Sequence, residues 1–95
     1  MDQNSFKNIT LAAPTTTTVH TGEGTLHAVT VNKAVATGVI TIYDGTAATG
    51  TKIATITSPG TLLQNNFTLI YDVDFRVSLT IVTSTAAQDI TISYR

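Results

Sequence analysis

His20 and His27 are the only histidines of the chain, and they stand seven residues apart across Gly22-Glu23-Gly24. If that segment reverses the chain, two imidazoles face each other beside the Glu23 carboxylate, a set of ligand types that binds Zn²⁺. The usual zinc sites need more ligands than this stretch displays, so two unrelated strand residues is the favoured reading. Asp72 and Asp74 flank Val73 and lie on one side of any strand that contains them. Paired carboxylates serve acid–base chemistry or bind Ca²⁺, and glycosidases hold two of them roughly 5–10 Å apart. Residues two apart on a strand fall near that range by default, so a solvated strand end before a turn is the favoured reading. Ser58, Ser78, Ser84 and Ser93 lack the Gly-x-Ser-x-Gly setting of a nucleophile elbow. Gly22 and Gly24 form half of a dinucleotide fingerprint, but no helical pattern follows them. Tyr43, Tyr71 and Tyr94 are of a type enriched at interface hot spots, and with no Trp the chain is poorly equipped as a sugar platform. The residues point to no catalytic, metal or cofactor site, and the expectation is a protein that is not an enzyme.

The elements that would carry these residues are strands. Gly38 to Thr57 is the clearest stretch: Ile40 and Ile42 alternate with Val39, Thr41 and Tyr43, and a β-branched run follows from Ile53 to Thr57. Asp44-Gly45 and Gly50 punctuate the connection, where glycine can supply a positive φ, and the pattern predicts a hairpin. Phe67, Leu69, Tyr71, Val73 and Phe75 form the longest period-two run and should face a core. Val77, Leu79 and Ile81 alternate next, and Ile90, Ile92 and Tyr94 close the chain on one face. Thr15 to Thr21 reads as an edge strand and Thr25 to Asn32 as a strand whose parity slips between Leu26 and Val29, which a bulge explains. Thr61 to Gln64 is a short extended piece, Ser84 to Asp89 a polar loop, and Ile9 to Ala13 a short strand ended by Pro14. Met1 to Asn8 is polar and aperiodic and reads as an arm. No i, i+3, i+4, i+7 pattern persists anywhere. The expected fold is all-β, a single small antiparallel sandwich of jelly-roll type, with an immunoglobulin-like Greek key as the alternative. Residues 1–14 form an arm with a possible edge strand and residues 15–95 the sandwich.

Composition narrows the function. Only 12% of the 95 residues are charged, against about 25% in ordinary soluble domains. Threonine fills the polar strand positions without adding charge, and such a neutral surface suits contact with other protein. The net charge of −1 provides no cationic stripe for nucleic acid. Cysteine is absent, which leaves no disulfide framework. No apolar run reaches membrane-spanning length, and the first residues lack the basic and apolar regions of a signal peptide, so synthesis and folding in a cytoplasm are expected.

Gly24-Thr-Leu-His-Ala-Val-Thr-Val-Asn32, Gly38-Val-Ile-Thr-Ile-Tyr-Asp-Gly45, Gly50-Thr-Lys-Ile-Ala54, Tyr71-Asp-Val-Asp-Phe75, Leu79-Thr-Ile-Val-Thr83 and Asp89-Ile-Thr-Ile-Ser-Tyr-Arg95 together resemble small virion proteins of tailed bacteriophages, of the capsid decoration (cement) type. The resemblance covers roughly residues 20–95. It implies a β-sandwich subunit on the capsid surface, a homo-oligomer and commonly a trimer, whose partner is the major capsid protein lattice. A head–tail junction, tail or fibre component is the structural alternative. A carbohydrate-binding module and a small metal or carboxylate hydrolase built on His20, His27, Asp72 or Asp74 are the alternatives of other classes. The expected contact residues are Asn4, Ser5, Phe6 and Lys7 of the arm and Thr16, Thr17 and Thr18 of the edge strand, with no small-molecule substrate, nucleic acid or membrane as partner.

Overall fold

The period-two patterns become eight strands in two four-stranded antiparallel sheets. The computed structural model describes residues 7–11, 15–61, 66–84 and 88–95. In chain order the strands are β1 (Lys7–Leu11), β2 (Thr15–Thr21), β3 (Gly24–Lys33), β4 (Val39–Asp44), β5 (Thr51–Thr57), β6 (Phe67–Phe75), β7 (Ser78–Ser84) and β8 (Asp89–Tyr94). One sheet runs β1-β8-β3-β6 and the other β2-β7-β4-β5. First pairs with last, second with seventh, third with sixth and fourth with fifth, so the chain is one long hairpin folded over into two layers. That is the jelly roll, the first of the two architectures expected. No helix occurs among the described residues.

The layers meet on side chains contributed by alternate positions. Ile40, Ile42, Leu79 and Ile81 from one sheet pack against Val29, Val31, Ile90 and Ile92 from the other, all essentially inaccessible to water. Burying each such side chain contributes about 1.5–3 kcal/mol before chain entropy is subtracted. β6 behaves as its alternation predicts, with Phe67, Leu69, Tyr71, Val73 and Phe75 inward and Ile70 60% exposed on the outside. The parity slip in β3 is a bulge: against β8 the rungs Leu26–Tyr94 and Ala28–Ser93 leave His27 as an extra residue on β3, which returns Val29 to the core face that Leu26 occupies.

Five expectations are corrected. β2 and β3 are consecutive but do not pair; they lie in opposite sheets, because each pairs with strands distant in sequence, β7 for β2 and β6 with β8 for β3. The β2–β3 connection is therefore a crossing between layers, made with Gly22 at φ 94°, a conformation that strains any residue with a Cβ. Lys7 and Asn8 belong to β1, held in register against Tyr94 and Ser93, rather than to an arm. β3 runs one residue past Asn32, its expected end, because Lys33 still pairs with Asp89. Val77 is not in the alternating strand but in the β6–β7 turn, 55% exposed. In the β4–β5 hairpin, positive φ is not what the glycines supply. A Cβ on Gly50 would stand 2.5 Å from the Asp44 carbonyl oxygen, and one on Gly45 2.8 Å from the Gly50 Cα, so the two arms of the loop approach too closely for any side chain. Thr61 is exposed, and residues 62–64 of the predicted extended piece lie outside the described residues.

Candidate functional site

The crossing of β2 to β3 and the turn of β6 to β7 meet at one end of the sandwich. Between them lies a shallow depression of about 310 Å³ lined by Glu23, Gly24, Thr25, Asp74, Phe75 and Arg76. Its floor is aromatic. Phe75 is buried, and the His20 ring stacks edgewise on it at 5.7 Å and against Tyr94 at the same separation. Gly24 allows the β3 backbone to come close to the Phe75 ring and the Arg95 carbonyl; a Cβ there would lie 2.3 Å from that oxygen. The polar atoms of the depression are tied to their neighbours. Thr25 Oγ1 donates to Asp74 Oδ1 at 2.9 Å, and His20 Nε2 donates to the Glu23 carbonyl at 3.3 Å.

The second histidine is elsewhere. His27 sits at the β3 bulge on the outer face of its sheet, and its Nδ1 donates to Asp72 Oδ1 at 2.5 Å. Asp72 is the extra residue on the facing strand and holds φ at 47°, a left-handed conformation that Asp tolerates better than most residues. The pair is open to water, with the His27 side chain 34% and that of Asp72 60% exposed. Opposite sheets thus hold the two histidines, and the hairpin that would have joined them does not exist. Asp72 and Asp74 also divide between different partners, His27 and Thr25. Among the described residues no group of three or more His, Cys, Asp or Glu is placed to hold a metal ion. Ser58 and Ser78 are buried. The Ser78 hydroxyl donates to the Val77 carbonyl at 2.6 Å, a local contact that leaves it no general base.

Of the residues expected to touch a partner, those described lie on edge strands. Lys7 lies on β1, an edge strand, while Asn4, Ser5 and Phe6 lie outside the described residues. Thr16, Thr17 and Thr18 lie on β2, the edge of the other sheet. Thr15, Thr16, Thr18 and Thr21 are exposed, and β2 carries no Lys, Arg, Asp or Glu. Thr18 is partly engaged: its hydroxyl donates to the Thr46 carbonyl and lies 3.2 Å from the Thr80 hydroxyl. Thr80 in turn donates to the Gly45 carbonyl at 2.6 Å. The β4–β5 loop is thereby laid over the outer face of β7 and buries a threonine there.

Two residues escape sequence reasoning. Asp44 reads as half of a turn signal, yet its carboxylate accepts the N–H groups of Arg76 (2.9 Å), Val77 (2.8 Å) and Ser78 (3.4 Å). Those successive backbone donors hold its pKa below the ordinary 3.8, against a smaller opposing effect of burial. Burial alone pushes the Tyr71 phenol upward from 10.0. Gln88 lies at the end of the polar loop and is 1% exposed. Its Nε2 donates to the Ser84 and Val39 carbonyls at 3.2 and 3.4 Å, and its Oε1 has no partner among the described residues. Neither residue has a local signature, because each partner is distant in sequence or supplied by the fold. No protein-family model matches the chain, and neither a curated protein nor a solved structure does.

Proposed function

We propose that this chain is a structural virion protein that decorates a tailed-phage capsid, binding the major capsid protein lattice as an oligomer and stabilising it. The observation that carries the reading is the β2 edge. An edge strand that offers its backbone to solvent is normally guarded by charge, whereas β2 presents four exposed threonines and no charged side chain. Such an edge, its ladder broken by the bulge at Val19, is suited to lie against other protein through its side chains. The outer face of β5 continues the character with Thr55 and Thr57, interrupted by Lys52. The depression beside Glu23 and Asp74 is shallow, and its hydroxyl and carboxylate hydrogen-bond each other. This supports a binding body over a catalytic one. Contact through Lys7 and through Thr16 to Thr18 would place the chain on the capsid surface, with affinity multiplied by repeated copies.

The test is sedimentation of the purified chain with expanded, DNA-free heads of the phage that encodes it. Depletion from the supernatant to a saturating ratio is the expected result, and Thr16→Lys with Thr18→Lys should weaken it. A chain that stays in the supernatant, with intact virions holding it only at the tail, would overturn the capsid assignment.

A further inference from the structure

A two-layer sandwich has four edge strands, here β1 and β6 in one sheet and β2 and β5 in the other. Three of them are interrupted. β2 has an extra residue, Val19, between the rungs Thr18–Thr80 and His20–Leu79. β5 has an extra residue, Ile53, between Ala54–Ile42 and Lys52–Tyr43. β6 sets Tyr71 and Asp72 against the single His27, with the Asp72 backbone in the left-handed region. In each case the surplus residue is on the edge strand. A bulge there twists the free backbone groups out of line and prevents a further strand from adding. β6 and β5 add exposed charge, Asp72 and Asp74 on one and Lys52 on the other.

β1 is the exception. Its five residues pair one-to-one with β8, from Lys7–Tyr94 to Leu11–Ile90, with no shift of register. The backbone groups on its far side therefore form the only regular ladder among the described edges. We infer that β1 is a self-association edge, pairing antiparallel with β1 of a second copy about a two-fold axis through Ile9. The occupant follows from the edge count. A strand from another copy can enter a regular ladder only if it is itself regular along its free side, and among the described strands each copy owns one such edge. Like must pair with like, so the contact is isologous and closes at a dimer instead of growing into a filament. Centring on Ile9 sets Lys7 opposite Leu11 and Asn8 opposite Thr10, so the single cation of the strand never faces its own copy. The two sheets then join into one of eight strands, β6-β3-β8-β1 continued by the same order reversed in the partner.

The inference concerns self-association alone and stands or falls independently of the phage reading. Light scattering of the untagged full chain over a concentration series should give a mass rising from one copy to two and levelling there. The register makes a charge test specific. Asn8→Lys with Thr10→Lys puts lysine opposite lysine on two rungs and should weaken association roughly tenfold. Asn8→Lys with Thr10→Glu puts opposite charges on the same rungs and should keep the dimer. Hydrogen exchange on the unmodified chain serves as a second readout, with alternate β1 amides becoming protected as concentration rises. A monomer at every concentration, a trimeric plateau, β1 amides indifferent to concentration, or equal loss in both double variants would each overturn the assignment.

Discussion

β6 leaves regular strand geometry at Asp72 and ends beyond Phe75, and the two departures are held by different means. At the bulge, an exposed carboxylate meets an exposed imidazole, one side chain against another. At the turn, the Asp44 carboxylate arrives from β4 in the other sheet and accepts backbone N–H groups from Arg76, Val77 and Ser78. The contrast separates a contact that decorates an irregularity from one that maintains it. Backbone donors at a turn have no strand partner to accept from them, so the carboxylate that satisfies them is coupled to the fold. An exposed His–Asp pair exchanges readily with water and is screened by salt. Asp44 thereby holds the connection by which the chain passes from β6 in one sheet to β7, the neighbour of β4 in the other.

Removing Asp44 should have the largest effect. Asp44→Ala is expected to lower stability by about 2 kcal/mol, the range for charged hydrogen bonds to backbone donors that remain partly open to water. Urea unfolding measures it, and faster hydrogen exchange at Arg76 and Val77 should accompany the loss. A change inside experimental error would mean that water serves those amides equally well. The same carboxylate sets an acid response. Its folded pKa lies below its unfolded value near 3.8, so its contribution is whole above that pH and is lost as the pH falls from there through the lowered folded value. Asp44→Asn should lack this component, and its stability should fall less steeply than that of the unsubstituted chain across that acid window.

The bulge offers a smaller and more diagnostic pair. Asp72→Gly relieves the left-handed backbone and should match or slightly exceed the parent stability, while Asp72→Ala should fall about 1 kcal/mol below Asp72→Gly. Equal melting points for the two would show that the φ of 47° is not kept in solution. His27→Ala should have the least effect, under about 1 kcal/mol and shrinking as salt is raised. If instead it costs as much as Asp44→Ala, the imidazole has a structural role that its exposure conceals.

Much of the fold is legible in the residues. Ile40 and Ile42, the odd positions from Phe67 to Phe75, and Ile90 with Ile92 declare both strand and buried face, because alternation is a local property of a pleated chain. Even the β3 bulge shows as a slip between Leu26 and Val29. The candidate site is far less legible. His20 and His27 look like neighbours across a turn, but which strand pairs with which is decided by competition among distant partners. Glu23 to Arg76 come together only because two connections, fifty-odd residues apart, meet at one end.

Strand positions and inward faces follow from the order of residues, since each depends on neighbours one or two places away, and the scarcity of charge follows from composition. The folded-over pairing of first strand with last, the Asp44 clamp on the β6–β7 turn, the burial of Gln88, and the unbroken edge at β1 belong to the assembled layers. They rest on contacts between segments that are remote along the chain. Whether those contacts form depends on the closure and packing of the whole sandwich, and not on any short stretch of it.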